Sequence, residues 1–140
     1  MKYKHINAYM NTAKVFAKCS VGVRLKVGTV IVKNNNIISV GYNGLPEHID
    51  GLLEDENGKT KPEVRHSEKN ALMALTKSNQ SSIGATLFCT HAPCRLCAID
   101  IVDSGIVKVY YELDYRDRDG IDYLENANII VAQMFAEKGC

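Results

Sequence analysis

Along its 140 residues the chain sets helix-like and strand-like segments in the order α-β-β-α-β-α-β-α-β, and this order constrains the fold more than any single residue does. Ile6, Tyr9, Met10, Ala13, Phe16 and Ala17 recur at helical spacing, which predicts an amphipathic helix over residues 6–17. Two strand-like runs, VGTVIVK and IISVGY, flank asparagines 34–36, whose tolerance of left-handed backbone suits a hairpin turn. SEKNALMALTK then reads as helix, ATLFCT as strand, CRLCAIDIVDSG as a helix closed by Gly105, IVKVYY as strand, GIDYLENAN as a short helix and IIVAQM as a last strand. A hairpin followed by strand-helix-strand units implies an antiparallel pair continued by parallel crossovers. The expected result is an α/β fold: a mixed five-stranded sheet with helices on both faces.

Composition narrows the function. With 46% hydrophobic and 24% charged residues, the chain fits one domain spanning residues 1–140. The 17 Lys and Arg against 16 Asp and Glu leave a net charge of +1, which offers no general attraction for a nucleic-acid polymer or an anionic membrane. No apolar run reaches spanning length, and MKYKHINAYM lacks the apolar centre and cleavage site of a signal peptide, so the expected location is cytoplasmic. Five cysteines, at 19, 89, 94, 97 and 140, do not suit a disulfide framework. Residues 43–64, rich in Gly, Pro, Asp, Glu and Asn, read as a long functional or mobile loop.

Cys94 and Cys97 sit three apart in the first turn of a predicted helix, directly behind Pro93. They share a face there, and the positive helix end favours thiolates. Taken alone, such a pair is a redox dithiol, half of a structural zinc site, or part of a catalytic metal centre. His66 and Glu68 stand at the start of another helix, one strand away. Residues i and i+2 flank one centre only if His66 lies at the helix boundary. Two thiolates and one imidazole would hold a metal and leave a fourth position for water, with Glu68 beside it to handle protons. His91, three before Cys94, reads as a strand end or a lining residue. His5 and His48 read as surface residues, Cys19 and Cys89 as small buried hydrophobes, Cys140 as a terminal thiol and EDENGK as a solvated turn.

His66-Ser67-Glu68 together with Pro93-Cys94-Arg95-Leu96-Cys97 is similar to the H-x-E…P-C-x-x-C signature of zinc-dependent nucleobase deaminases. RLKVGTVIVKNNNIISVGYNGLP, HSEKNA and THAPCRLC resemble the deoxycytidylate deaminase branch of that superfamily, over nearly the whole chain. The resemblance implies the cytidine deaminase-like three-layer α/β/α fold and hydrolytic deamination of dCMP to dUMP and ammonia, as dTMP precursor supply. It makes His66, Cys94 and Cys97 the ligands of one Zn²⁺ and Glu68 the proton shuttle. It gives the Ser67 N–H to the pyrimidine O2, the Ala92 carbonyl to the exocyclic amine, Asn43 to the sugar hydroxyl and Tyr115 to the C5 edge. Arg24 is the candidate for the 5′-phosphate, since a guanidinium suits that group. It further implies a hexamer activated by dCTP and inhibited by dTTP, with Mg²⁺ on the triphosphate and Gly41, Tyr42, Asn43 and Gly44 in the regulatory site. A plain turn after a strand is the other reading of those four. Ser67 stands where the family more often has alanine. Residues 45–65 carry one histidine, His48, too few ligands for the second zinc of some phage members. A deaminase of free cytidine, cytosine or transfer-RNA adenosine, or a non-catalytic zinc protein, are the rival readings. The low net charge opposes the RNA substrate, and Glu68 opposes the non-catalytic protein.

Overall fold

The computed structural model describes residues 1–46 and 48–135. Its elements are α1 (Tyr3–Ala17), β1 (Gly28–Lys33), β2 (Asn36–Tyr42), α2 (Ser67–Leu75), β3 (Thr86–His91), α3 (Arg95–Asp103), β4 (Lys108–Leu113), α4 (Asp119–Asn126) and β5 (Ile130–Gln133). The order is the expected one. The five strands form one sheet in the order β2-β1-β3-β4-β5. β1 runs antiparallel to β2 and β3, while β3, β4 and β5 are parallel. The hairpin follows from turn chemistry: Lys33 pairs with Asn36, and Asn34 (φ 51°) and Asn35 (φ 60°) form a two-residue turn in left-handed backbone. Cys140 lies outside the described residues.

Period-two alternation sorts the strand side chains onto two faces. Val30, Val32, Phe88 and Tyr110 meet Met10 and Ala13 of α1 on one face. Ile31, Leu87, Cys89, Val109 and Tyr111 meet Ala71, Leu75, Ala98, Ile101, Ile121 and Leu124 of α2, α3 and α4 on the other. The fold is therefore a three-layer α/β/α arrangement. Residues such as Ile31, Leu87 and Ile101 are wholly buried, and each such side chain contributes about 1.5–3 kcal/mol relative to exposure. No described helix is long and apolar enough to cross a membrane.

One cysteine departs from expectation. Cys89 is buried on β3, whereas Cys19 is exposed. α1 ends at Ala17, so Cys19 falls in the following turn, beyond the face that packs on the sheet.

Candidate active site

The ends of β2 and β3 and the start of β1 lie at one edge of the sheet, since Thr29 of β1 stands opposite both Gly41 and Cys89. Helices α2 and α3 begin above this edge. Their N-cap residues are His66 (φ −67°, ψ 158°) and Cys94 (φ −72°, ψ 170°), both in extended backbone and neither capping its helix with a side-chain hydrogen bond. Their side chains turn towards each other instead. With His66 outside the helix proper, Glu68 in the first turn can share its surroundings, which resolves the i, i+2 difficulty. Gly120 lets α4 close on this corner: a Cβ there would lie 2.0 Å from the Pro93 carbonyl oxygen.

His66 Nδ1 stands 3.3 Å from Cys97 Sγ and 3.5 Å from Cys94 Sγ, and the ligand atoms of the three residues lie within 4.8 Å of one another. Zn–N near 2.05 Å and Zn–S near 2.3 Å in a tetrahedron put nitrogen and sulfur about 3.6 Å apart, so the donor set fits zinc. Charge points the same way. A hydrogen bond from Cys97 first, and His66 after it, holds the Cys94 thiol down at about 4. Cys97 is pushed far up by that same hydrogen bond to Cys94, by burial and by Glu68. The hydrogen bond to Cys94 also raises His66 against its burial. A cation held between the two sulfurs would offset this concentration of negative charge. Among the described residues no fourth His, Cys, Asp or Glu joins this group.

Glu68 is buried, and its Oε1 accepts a 2.6 Å hydrogen bond from Ser67 Oγ. It lines a cavity of about 380 Å³ together with His66, Ser67, Ala92 and Cys94. Of the remaining candidates, Arg24, Asn43 and Tyr115 line the same cavity. Asn43 has a structural duty besides: Oδ1 accepts from the Val27 N–H and Nδ2 donates to the Leu25 carbonyl, both at 2.8 Å. An amide has two lone pairs and two hydrogens, so one of each is left for a ligand. Gly41 is buried below α2, where a Cβ would come within 2.5 Å of the Ser67 carbonyl and the Ala71 nitrogen. Its close backbone approach is to that helix. Tyr42 is exposed at the strand end, and Gly44 exchanges hydrogen bonds with Arg65.

His91 ends β3 and lines the cavity, with burial lowering its pKa. Sequence reasoning missed Arg116, whose guanidinium lies 5.3 Å from the Tyr115 ring at the cavity wall. Glu54 was expected in a solvated turn, yet both carboxylate oxygens lie 3.2 Å from the Val23 N–H and the residue lines the cavity. Asp55 and its neighbours do form a turn, with Asp55 Oδ1 accepting from the Asn57 and Lys59 N–H groups. The long loop is built into the site through Leu53, 2% exposed, and through Glu54, Thr60 and Val64.

Comparison with known proteins agrees with this geometry. A family model described as "Cytidine and deoxycytidylate deaminase zinc-binding region" matches residues 3–113. The chain is 33% identical over 136 residues to the deoxycytidylate deaminase of Saccharomyces cerevisiae, covering 90% of this chain but only 43% of the yeast protein. It is 32% identical over 117 residues to that of Mycobacterium phage D29, covering 74% of this chain and 90% of the phage protein. The crystal structure of the dCMP deaminase from cyanophage S-TIM5, in complex with dCMP and dUMP, superposes with a TM-score of 0.93 at 44% identity, covering 96% of this chain and 99% of that one. On the match to its zinc-binding region and on these relatives, the chain belongs to the cytidine and deoxycytidylate deaminase family.

Proposed function

We propose that this protein is a zinc-dependent deaminase that converts dCMP to dUMP and ammonia. The observation that carries the reading is the convergence of His66, Cys94 and Cys97 at two helix starts, with buried Glu68 beside them in the wall of one cavity. The likeness to the S-TIM5 enzyme supports dCMP as the substrate. When bound, zinc supplies a Lewis acid that makes water a nucleophile near neutral pH. The protein's own residues do the rest. Glu68 takes one proton from the attacking water and passes it to ring N3, then takes the proton of the hydroxyl added at C4 and delivers it to the amine, which leaves as ammonia while the C4 carbonyl forms. Ser67 is the first residue of α2, so its N–H has no partner within the helix and is available to the pyrimidine O2. The Ala92 carbonyl accepts from the exocyclic amine.

Asn43 holds the sugar hydroxyl with the hydrogen-bonding capacity left after bracing its loop, and Tyr115 packs at the C5 edge. Arg24 meets the 5′-phosphate. Arg116 joins it there, since a second guanidinium in the same cavity wall suits the same dianion. The regulatory reading extends this: the enzyme works as a hexamer, dCTP activates and dTTP inhibits, Mg²⁺ rides on the triphosphate, and Gly41, Tyr42, Asn43 and Gly44 connect effector to active site. The product feeds dTMP supply.

The test compares dCMP, deoxycytidine, cytosine and a transfer-RNA adenosine substrate, with and without dCTP, on protein assayed for zinc. About one zinc per chain and a clear preference for dCMP are expected. Equal rates on deoxycytidine would remove the nucleotide assignment, and fully active metal-free protein would remove the zinc mechanism. A rate unchanged by dCTP would remove the regulatory reading.

A further inference from the structure

A buried chain of hydroxyl groups leads from the sheet to Glu68. Thr29 and Ser67 are both wholly buried, their oxygens 2.7 Å apart, and Ser67 Oγ lies 2.6 Å from Glu68 Oε1. A carboxylate only accepts, so the single hydroxyl hydrogen of Ser67 is committed to Glu68. Ser67 Oγ must then accept, and the hydrogen it receives is that of Thr29. Cys89 Sγ, 3.3 Å from Thr29 Oγ1, is the weaker competitor for that one hydrogen, since sulfur accepts poorly and the contact is longer. The direction of the chain follows: Thr29 to Ser67 to Glu68.

Three strands place this chain. Thr29 stands in register between Gly41 of β2 and Cys89 of β3, on the face that α2 covers. The missing side chain at Gly41 lets the start of α2 come down far enough for Ser67 to reach Thr29. The other side-chain group beside Glu68 is Cys97, which belongs to the group of candidate metal ligands. Among the described residues, Ser67 is then the side-chain donor left to the carboxylate.

Resting on the deaminase reading, we infer that Ser67 and Thr29 are positioning residues for proton transfer. They tie Oε1 of Glu68 to the sheet, so that Oε2 is the oxygen presented to water and ring. Such a tie acts on the geometry of the transition state and not on substrate affinity, and it predicts a loss in kcat with KM preserved. Thr29 acts only through Ser67, so the two effects do not add.

The experiment uses zinc-loaded wild type, Ser67→Ala, Thr29→Val, Thr29→Ser and the Ser67→Ala/Thr29→Val double variant. Each is measured for kcat and KM on dCMP, zinc content, Tm and the Glu68 conformation by crystallography. Ser67→Ala is expected to lower kcat about five- to tenfold, with KM within twofold and zinc at one per chain, to lower Tm by a few degrees, and to release Glu68 from its rotamer. Thr29→Val should lower kcat less, Thr29→Ser should restore it, and the double variant should be no slower than Ser67→Ala. A kcat within twofold of wild type in Ser67→Ala, a Glu68 rotamer unchanged in that variant, or a double variant whose loss is the product of the single losses would overturn the inference. Wild type inert towards dCMP would instead remove the substrate reading, and the Glu68 rotamer would still decide the positioning.

Discussion

Glu68 is 4% exposed, and a carboxyl group that far from water needs hydrogen-bond partners nearby. Ser67 supplies one, and the acid shares a cavity wall with His66 and Cys94 of the group that could hold a metal. Its proposed task is proton transfer alone, so Glu68→Gln should leave zinc at one per chain and Tm close to wild type while lowering kcat by about 10²–10⁴. Steady-state rates alongside zinc analysis check this, and wild-type turnover by that variant would refute the shuttle. The H-x-E spacing was readable because His66 at the helix boundary and Glu68 in the first turn are local neighbours, so backbone geometry alone lets them share a site. Arg116 was not readable, since nothing in YRDRDG distinguishes the arginine that lines the cavity from Arg118, which pairs with Asp122 and Glu125 along α4.

At the scale of elements, two helix N-termini point into one site, and the contact of α2 with β2 sets how deep the first of them lies. Gly41 is the contact point. Gly41→Ala would push a methyl group against the backbone at Ser67 and Ala71, and because backbone there cannot swing aside, the helix must lift. The expected cost is about 2–3 kcal/mol in denaturant-measured stability, with a fall in activity because His66, Ser67 and Glu68 move with the helix. A fully stable and active variant would show that α2 does not depend on this packing. The hairpin was legible from its asparagines, which accept left-handed backbone. The packing role of Gly41 was not, because GYNG describes a strand end and carries no sign of the helix lying over it.

For the molecule as a whole, a metal at this site would join α2 to α3 and so link the loop after β2 to the crossover after β3. Anything that binds the folded state alone stabilises it by mass action, about 2.7 kcal/mol at a hundredfold excess over Kd. Removal of zinc by a chelator should therefore lower Tm by roughly 10 °C for a chain of this size, and re-addition should restore it. Calorimetry with and without the chelator is the check, and an unchanged Tm would mean that the three residues hold no metal that matters to the fold.

The sequence by itself determined the element order, the hairpin, the mixed sheet and the pairing of His66 and Glu68 with Cys94 and Cys97. The first three follow from periodicity, turn chemistry and element order; the last joins motifs 28 positions apart and was legible through its likeness to the family's signature. Only the tertiary structure decided the exposure of Cys19, the incorporation of Glu54 and Arg116 into the cavity wall, and the line from Thr29 through Ser67 to Glu68. Thr29 and Ser67 are 38 positions apart, and no local rule relates them. Their contact exists because Thr29 lies on the face of β1 that the start of α2 covers, and that packing is settled only when the whole core closes.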